Sequence, residues 1–183
     1  MVKVTALRIG EVKLLEPRIF ADERGWFFEA WNARALSAAG FHEHFVQDNC
    51  VRSTRGVLRG LHYQLWKPQG KLVRVTAGEV FDVSVDLRRS SPTFGEWVGE
   101  RLSGDNHRAI WIPPGFAHGY LALSETADVY YKCTAFYDPA DERAVRWDDP
   151  AVGIAWPVAG VGAPILTPRD RDAPLLANAE TYP

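Results

Sequence analysis

The sequence predicts an all-β protein, an antiparallel sandwich or barrel with a few short helices. Short segments of alternating apolar and polar residues recur along the chain, as in half-buried strands, and Gly, Pro, Asp and Asn separate them. The strand–helix–strand rhythm and the GxGxxG loop of a parallel nucleotide-binding sheet are both missing. Many short strands joined by turns are typical of antiparallel sandwiches and barrels.

Length and composition fit one soluble domain. Of the 183 residues, 46% are hydrophobic, which is enough to build a core. The formal net charge of −2 argues against a general nucleic-acid-binding surface. The N-terminal segment has no signal-peptide core, and no apolar run approaches the roughly 18–20 residues of a membrane span. We therefore expect one cytoplasmic domain over residues 1–183, without nucleic-acid or membrane partners. Cys50 and Cys133 make no disulfide framework, and we expect both to be buried or half-buried free thiols.

The clearest strand runs from Val80 to Leu87. Its apolar residues alternate with Asp82, Ser84 and Asp86. This period of two predicts one buried face and one polar face.

Other segments have weaker strand patterns. Residues 71–76 precede the clearest strand, and Gly78 between the two predicts a hairpin turn. The remaining predicted strands are 11–16, 26–30, 46–52, 57–63, 97–102, 109–112, 118–123 and 128–137.

One helix and an ordered tail complete the predicted fold. Asn32 can cap the segment NARALSAAG at its N-terminus, and Gly40 can end it. The tail from Pro150 is rich in Pro and Gly but keeps apolar residues such as Trp156 and Ile165. We expect this tail to wrap the body as ordered loop.

Two segments contain histidines at notable positions, GLHYQ with His62 and IPPGFAHGY with His118. The second is similar to half of the metal-binding signature of cupins. A divalent metal needs three or four N, O or S ligands at one point. Tyr63 and Gln64 follow His62, however, and the next acidic residue is Glu79. We expect no metal, which leaves His62 as a hydrogen-bonded core residue or as a base.

The residues that accompany His62 favour the base. Imidazole titrates near neutral pH and can remove a weakly acidic proton. Asp170 can hold the ring in one tautomer, and Lys71 can stabilise an enolate oxygen. Tyr131 can return a proton from the opposite face. Together with Arg59, these side chains suit acid/base chemistry on an anionic substrate.

Strand alternation supports one part of this set and conflicts with another. It places Tyr131 and Tyr137 on one face of their strand. It also puts Arg59 and His62 on opposite faces, so either Gly60 marks a bulge or one assignment is wrong.

Seven segments carry a resemblance to a known family. They are DERGWFFEAW (22–31), FVQDN (45–49), GVLRGLHYQ (56–64), GKLVRVTAGEVFDVSVDLRRSSPTFGEWVG (70–99), IPPGFAHGYLALSE (112–125), YKCTAFYDPADE (131–142) and LTPRDRDAPLL (166–176). Between about Leu14 and Leu176 the chain resembles the dTDP-4-dehydrorhamnose 3,5-epimerase family. The resemblance implies a cupin-like jelly roll that uses no metal and no cofactor.

The resemblance also implies a role for each matching residue. His62 would be the general base, paired with Asp170, and Tyr131 the general acid. Lys71 and Arg59 would contact the sugar, its keto oxygen or the phosphates. The rest of the site would comprise His118 in the same cavity and, around the nucleotide, Arg24, Glu29, Gln47, Asp48, Asn49, Glu142 and Arg169.

Several of these residues have ordinary alternatives. Arg24 and Glu29 are also typical of a surface ion pair, and Glu142 of an acidic turn. Arg169 and Asp170 are also typical of solvated charges in a tail. The segment 47–49 also fits the plain end of a strand.

The implied reaction converts dTDP-4-dehydro-6-deoxy-D-glucose to dTDP-4-dehydro-L-rhamnose by epimerisation at C3 and C5. It belongs to dTDP-L-rhamnose biosynthesis, which supplies cell-envelope polysaccharide. The family forms homodimers by exchanging N-terminal strands, so the partner is expected to complete the site. Two alternatives stay open: a C3- or C5-only epimerase (or ketoisomerase) of a related dTDP-deoxysugar in secondary metabolism, and a sugar-binding cupin without catalysis.

Overall fold

Two antiparallel sheets face each other in the computed structural model, which describes residues 2–183. The strands are β1 (Lys3–Ala6), β2 (Lys13–Glu16), β3 (Phe20–Asp22), β4 (Gly25–Phe27), β5 (Gln47–Thr54), β6 (Leu58–Gln64), β7 (Lys71–Ala77), β8 (Glu79–Asp86), β9 (Trp97–Ser103), β10 (Ala109–Ile112), β11 (Phe116–Ala122), β12 (Thr126–Cys133) and β13 (Glu142–Ala144). The first sheet has the order β1-β2-β10-β7-β12-β5 and the second β13-β6-β11-β8-β9, while β3 and β4 form a separate hairpin. The predicted antiparallel architecture is confirmed.

The polar face of β8 is turned inward, which corrects the sequence prediction. Asp82, Ser84 and Asp86 are all 0% exposed. Val83 and Val85 belong instead to an apolar cluster on the outer side of the second sheet. Strand alternation assigns side chains to the two faces of a strand, but it does not show which face is exposed to solvent. Here both faces are covered, so the polar residues lie inside the barrel.

The C-terminal tail supplies the cover on the outer side, as predicted. Trp156 and Leu176 are buried against the second sheet. Isolated parallel bridges join Val57 to Ile165 and Arg88 to Tyr182. The tail therefore encloses the outer cluster and holds its own C-terminal segment in place.

The predicted helix is present as α1 (Ala33–Ala38). The Asn32 side chain accepts a hydrogen bond from the Ala35 N–H, and Gly40 follows with a φ of +78°. A second short helix, α2 (Pro168–Arg171), was not predicted. No helix within residues 2–183 has the length and apolar character needed to cross a membrane.

Some boundaries differ from the predicted ones. The strand predicted over 26–30 is β4 and ends at Phe27, and the one predicted over 128–137 is β12 and ends at Cys133. Cys133 is buried, but Cys50 is exposed, so the expectation of two sheltered thiols is wrong for Cys50. Cys50 lies on the same face of β5 as Asp48 and Arg52, and all three residues are exposed.

Candidate active site

A bulge in β6 brings Arg59 and His62 to the same face. On the neighbouring β11, His118 lies opposite His62 and Tyr120 opposite Arg59, with a register shift between the two pairs. Gly60 has a φ of +121°, and a Cβ there would lie 2.5 Å from the backbone of β11. The extra residue restores a common face. The predicted bulge is confirmed, and both assignments are compatible with one site.

His62 is paired with Asp170 on α2. Its Nε2 atom lies 2.5 Å from Asp170 Oδ1. The other carboxylate oxygen accepts a hydrogen bond from the Thr167 hydroxyl at 2.7 Å, and Thr167 in turn caps α2. Burial raises the pKa of the Asp170 carboxyl, but the hydrogen bonds from His62 and Thr167 outweigh it and hold this pKa below its usual value. Asp170 is therefore a carboxylate at neutral pH, suited to orienting the imidazole.

A cavity of about 330 Å³ opens beside this pair, between the two sheets. Nine residues line the cavity, and six of them are site residues predicted from the sequence. The lining residues are Gln47, Asn49, His62, Gln69, Lys71, Tyr131, Cys133, Tyr137 and Glu142. His62 belongs to the second sheet and Tyr131 to the first, so the two side chains border the cavity from opposite sides.

Burial changes the acidity of two lining residues. Burial lowers the pKa of the Lys71 ammonium, and the charges of Cys133, Glu142 and Asp82 oppose this shift. Burial raises the pKa of the Tyr131 hydroxyl to about 12. Tyr131 therefore keeps its proton over the physiological range and can donate it.

Glu142 forms a second polar cluster at the cavity wall. Its Oε2 accepts a hydrogen bond from the Tyr137 hydroxyl at 2.8 Å and forms an ion pair with Arg169. Burial raises the pKa of the Glu142 carboxyl, but the hydrogen bonds from Tyr137 and Arg169 outweigh it and lower this pKa. Arg169 therefore lies next to the cavity wall at Glu142, but it lines a neighbouring groove and not the cavity itself.

Arg59 is held from below by two buried hydroxyls. Its Nε donates to Ser53 Oγ at 3.1 Å, and Ser53 Oγ lies 3.0 Å from the Tyr120 hydroxyl. Arg59 is exposed and does not itself line the cavity. Its guanidinium remains available to an anionic ligand.

His118 lies beneath the cavity, although the sequence prediction put it in the lining. It is 7% exposed, and its Nε2 lies 2.8 Å from Asp82 Oδ2. His62 and His118 thus bond to different carboxylates. Within residues 2–183, no three His, Cys, Asp or Glu side chains are grouped as a metal site.

Three predicted nucleotide contacts lie away from this cavity. Asp48 is on the opposite face of β5 from Gln47 and bonds to Lys132 at 2.8 Å. Arg24 lies at the β3–β4 hairpin. Glu29 lies after β4, and its carboxylate accepts a hydrogen bond from the Asn32 side-chain amide at 2.8 Å. Strand alternation explains the position of Asp48, and the separate hairpin explains the other two.

Sequence reasoning missed Gln69, Thr167 and Asp82. Gln69 lies in the loop before β7 and donates to the Ala135 carbonyl at 2.8 Å. No pattern identifies such a loop residue. Thr167 carried a usable signal, because Thr followed by Pro is typical of a helix N-cap and first turn.

Comparison with known proteins supports one family. Residues 6–178 match the family model described as dTDP-4-dehydrorhamnose 3,5-epimerase. The chain is 57% identical over 182 residues to the dTDP-4-dehydrorhamnose 3,5-epimerase of Pseudomonas aeruginosa, with 99% of each chain covered. Seven further relatives of the same name are 43–52% identical.

Solved structures share the fold closely. An epimerase from Legionella pneumophila, in complex with dTDP-4-keto-L-rhamnose, superposes with a TM-score of 0.93 and 50% identity, covering 97% of this chain and 94% of that one. A 3′-monoepimerase from Streptomyces bikiniensis, in complex with dTDP-quinovose, has a TM-score of 0.88 and 36% identity, covering 94% and 87%. One fold therefore serves double and single epimerisation.

Proposed function

The chain belongs to the dTDP-4-dehydrorhamnose 3,5-epimerase family, and we propose that the cavity between its sheets carries out the reaction with His62 as the base. The reaction converts dTDP-4-dehydro-6-deoxy-D-glucose to dTDP-4-dehydro-L-rhamnose, a step of dTDP-L-rhamnose biosynthesis. The observation that carries the proposal is the His62–Asp170 pair, which faces Tyr131 across a cavity that also contains Lys71.

The chemistry begins at the C4 ketone, which acidifies the protons on C3 and C5. Asp170 accepts a hydrogen bond from one ring nitrogen of His62 and leaves the other free to take a proton. Removal of the proton produces an enolate with its charge on the C4 oxygen. The Lys71 ammonium is the cation in this cavity that is placed to stabilise that charge.

Inversion requires that the proton return from the other face of the sugar. Tyr131 lies on the opposite sheet from His62 and holds its proton firmly, because burial raises its pKa to about 12. Donation to an enolate carbon at C3 or C5 completes one inversion. Once His62 has released its proton to solvent and Tyr131 has regained one, repetition at the second carbon gives the L-lyxo product.

Binding of the diphosphate and thymidine is assigned to the polar rim. Arg59 and Arg169 supply charge for the diphosphate, and Gln47 and Asn49 supply amides for the base or sugar. Asp48 faces away from this rim, so its predicted contact would need a neighbouring chain.

We also propose a homodimer in which the β3–β4 hairpin reaches the partner's cavity. The hairpin is exposed on both strands and carries Phe20, Trp26 and Phe27, which are 48%, 58% and 63% exposed. Such exposed aromatic side chains are typical of an interface. Arg24 and Glu29, which lie far from their own chain's cavity, would then contact the nucleotide of the partner. The reaction is assigned to the cytoplasm.

Product stereochemistry tests the function and separates it from single epimerisation. The protein is incubated with dTDP-4-dehydro-6-deoxy-D-glucose, and the ring proton couplings of the product are read by NMR. Inversion at both C3 and C5 supports the proposal. Inversion at C3 alone would show that the chain is a single epimerase, like the Streptomyces bikiniensis 3′-monoepimerase. Recovery of unchanged substrate would contradict both double and single epimerisation.

A further inference from the structure

His107 is the one residue other than glycine within residues 2–183 that has a left-handed backbone, with a φ of +54°. This conformation is uncommon for residues with a Cβ, although His, Asn and Asp adopt it more readily than the others. His107 lies in the turn between β9 and β10, where Asn106 Oδ1 accepts hydrogen bonds from the Ser103 and Arg108 N–H groups at 3.1 and 3.0 Å. The His107 ring therefore projects from a fixed turn.

The imidazole packs against aromatic residues of the exposed β3–β4 hairpin and of the segment that follows it. The ring centroid of His107 lies 4.3 Å from that of Trp26 and 5.1 Å from that of Phe28. Trp26 and Phe28 stack at 5.4 Å, and the Arg74 guanidinium lies 5.0 Å from the Phe28 ring. Arg74 also donates a hydrogen bond to the Ala30 carbonyl at 2.9 Å. This aromatic stack ties β4 to β7 and to the β9–β10 turn.

The hairpin has a second face that the aromatic stack leaves exposed. Strand pairing places Ala21 opposite Trp26 and Phe20 opposite Phe27, so the two pairs lie on opposite faces. Phe20 and Phe27 have their ring centroids 6.4 Å apart and are both exposed. One face is thus held by its own chain, and the other is available to a neighbouring chain.

We propose that His107 is a positioning residue, whose ring fixes the hairpin so that Arg24 reaches the partner's nucleotide. Arg24 lies in the hairpin turn, and its guanidinium donates to the Asp22 carboxylate at 2.6 Å. The strands β3 and β4 have three residues each and pair only with each other, and such an isolated hairpin is marginally stable. The direction of its tip therefore depends on the aromatic stack. The inference rests on the proposed function and on the homodimer proposed with it.

Hydrogen exchange measures the anchoring of the hairpin without any activity. Asparagine in His107→Asn tolerates the left-handed backbone but has no ring to pack against Trp26. Amide exchange over residues 20–27 should become about three- to tenfold faster, because the hairpin loses an aromatic contact. His44→Asn, at an exposed histidine outside the aromatic stack, should keep the wild-type rates. If His107→Asn does not fold, Trp26→Ala removes the same contact from the hairpin side.

Mixed dimers separate a positioning effect from general damage. One chain carries His62→Ala and supplies only its hairpin, while the other carries Arg24→Ala and supplies only its cavity. Different affinity tags on the two chains allow the mixed dimer to be purified. We expect His107→Asn on the hairpin-supplying chain to raise KM about three- to tenfold with little change in kcat. The same substitution on the cavity-supplying chain should leave KM unchanged.

Two results would overturn the proposal. One is unchanged hairpin exchange in both His107→Asn and Trp26→Ala, and the other is an equal rise in KM whichever chain carries His107→Asn. Mixed dimers without activity, beside an active wild type, would contradict the exchange of hairpins and with it the role of His107 in the partner's site. An inactive wild type would refute the proposed function, while hydrogen exchange would still decide whether His107 holds the hairpin.

Discussion

His62 and Asp170 are 108 residues apart in sequence, yet their side chains meet at 2.5 Å. One lies on a central strand of the second sheet and the other on a four-residue helix in the C-terminal tail. The tail must therefore be in place before the pair can form. The tail thus supplies half of the proposed base.

The pair predicts a large effect of Asp170→Asn. The amide fills the same space but cannot stabilise the imidazolium, and it favours the wrong tautomer. We expect kcat to fall by about a hundredfold to ten-thousandfold with a small change in KM. Asp172→Asn, an exposed carboxylate two residues later, is the control and should keep wild-type kcat. Steady-state kinetics at pH 7.5 checks both variants, and equal kcat values would contradict the assignment.

Tyr131→Phe should separate proton removal from inversion. His62 remains able to form the enolate, but the donor on the opposite face is lost. We expect product formation to fall at least about a hundredfold, while exchange of substrate protons with heavy water continues. Tyr130→Phe is the matched control, because the Tyr130 hydroxyl bonds to Asp48 outside the cavity at 2.6 Å. Loss of exchange and inversion together in Tyr131→Phe would argue against a role as acid alone.

The exchanged hairpin predicts complementation between two inactive chains. His62→Ala lacks the base, and Arg24→Ala lacks the predicted contact to the partner's nucleotide. When the two are co-expressed in equal amounts, half of the dimers are mixed, and each mixed dimer has one intact site. We expect about one quarter of wild-type activity in the mixture. Activity no higher than the mean of the two single variants would contradict a site shared between subunits.

The β6 bulge predicts intolerance of any side chain at residue 60. A Cβ at Gly60 would lie 2.5 Å from Gly119 Cα and 2.7 Å from the His118 carbonyl oxygen, and neither backbone atom can move away cheaply. We expect Gly60→Ala to destabilise the fold by roughly 3 kcal/mol or more. Gly10→Ala is the control, since nothing lies within 4 Å of a Cβ there. Urea denaturation should show a large loss for the first variant and less than about 1 kcal/mol for the second.

Asp86 predicts a pH-dependent contribution to stability. Burial raises the pKa of its carboxyl, but hydrogen bonds from Arg88, Ser91 and Thr93 outweigh it and lower this pKa to about 2. A folded-state pKa below the unfolded one stabilises the protein above about pH 4, and this gain is lost as the pH falls through about 2. Asp86→Asn should therefore cost about 2 kcal/mol at pH 7 and progressively less below pH 4.

Exposed Asp105→Asn is the control for this experiment. Its free energy of unfolding should follow that of wild type at every pH. A stability difference between Asp86→Asn and wild type that stays constant from pH 7 to pH 2.5 would contradict the depressed pKa.

Much of the fold could be predicted because strand alternation and turn residues are local signals. The conflict between the predicted orientations of Arg59 and His62 left two alternatives, a bulge at Gly60 or one wrong assignment, and the register shift between β6 and β11 decides for the bulge. The same local rule failed for Asp82. A period of two predicts one buried and one polar face, but it cannot show that the tail covers the outer side of the second sheet and that the polar face is buried as well.

The site itself was predictable only in part. Tyr131 follows from alternation along β12, whereas Tyr137 lies beyond the end of that strand, although both line the cavity. Gln69 does not follow from any pattern, because its position depends on where a loop meets the first sheet. The outward direction of Asp48 follows from alternation within 47–49, which the prediction of three consecutive nucleotide contacts overlooked.

Solvent exchange tests most directly whether His62 removes the protons next to the ketone. The protein is incubated in heavy water with dTDP-4-dehydro-6-deoxy-D-glucose, and deuterium at C3 and C5 is followed by NMR. Wild type and the control His42→Ala, which alters an exposed histidine, should introduce deuterium at both carbons. His62→Ala should introduce it at neither. Exchange in His62→Ala at the wild-type rate would show that another group is the base and would contradict the mechanism.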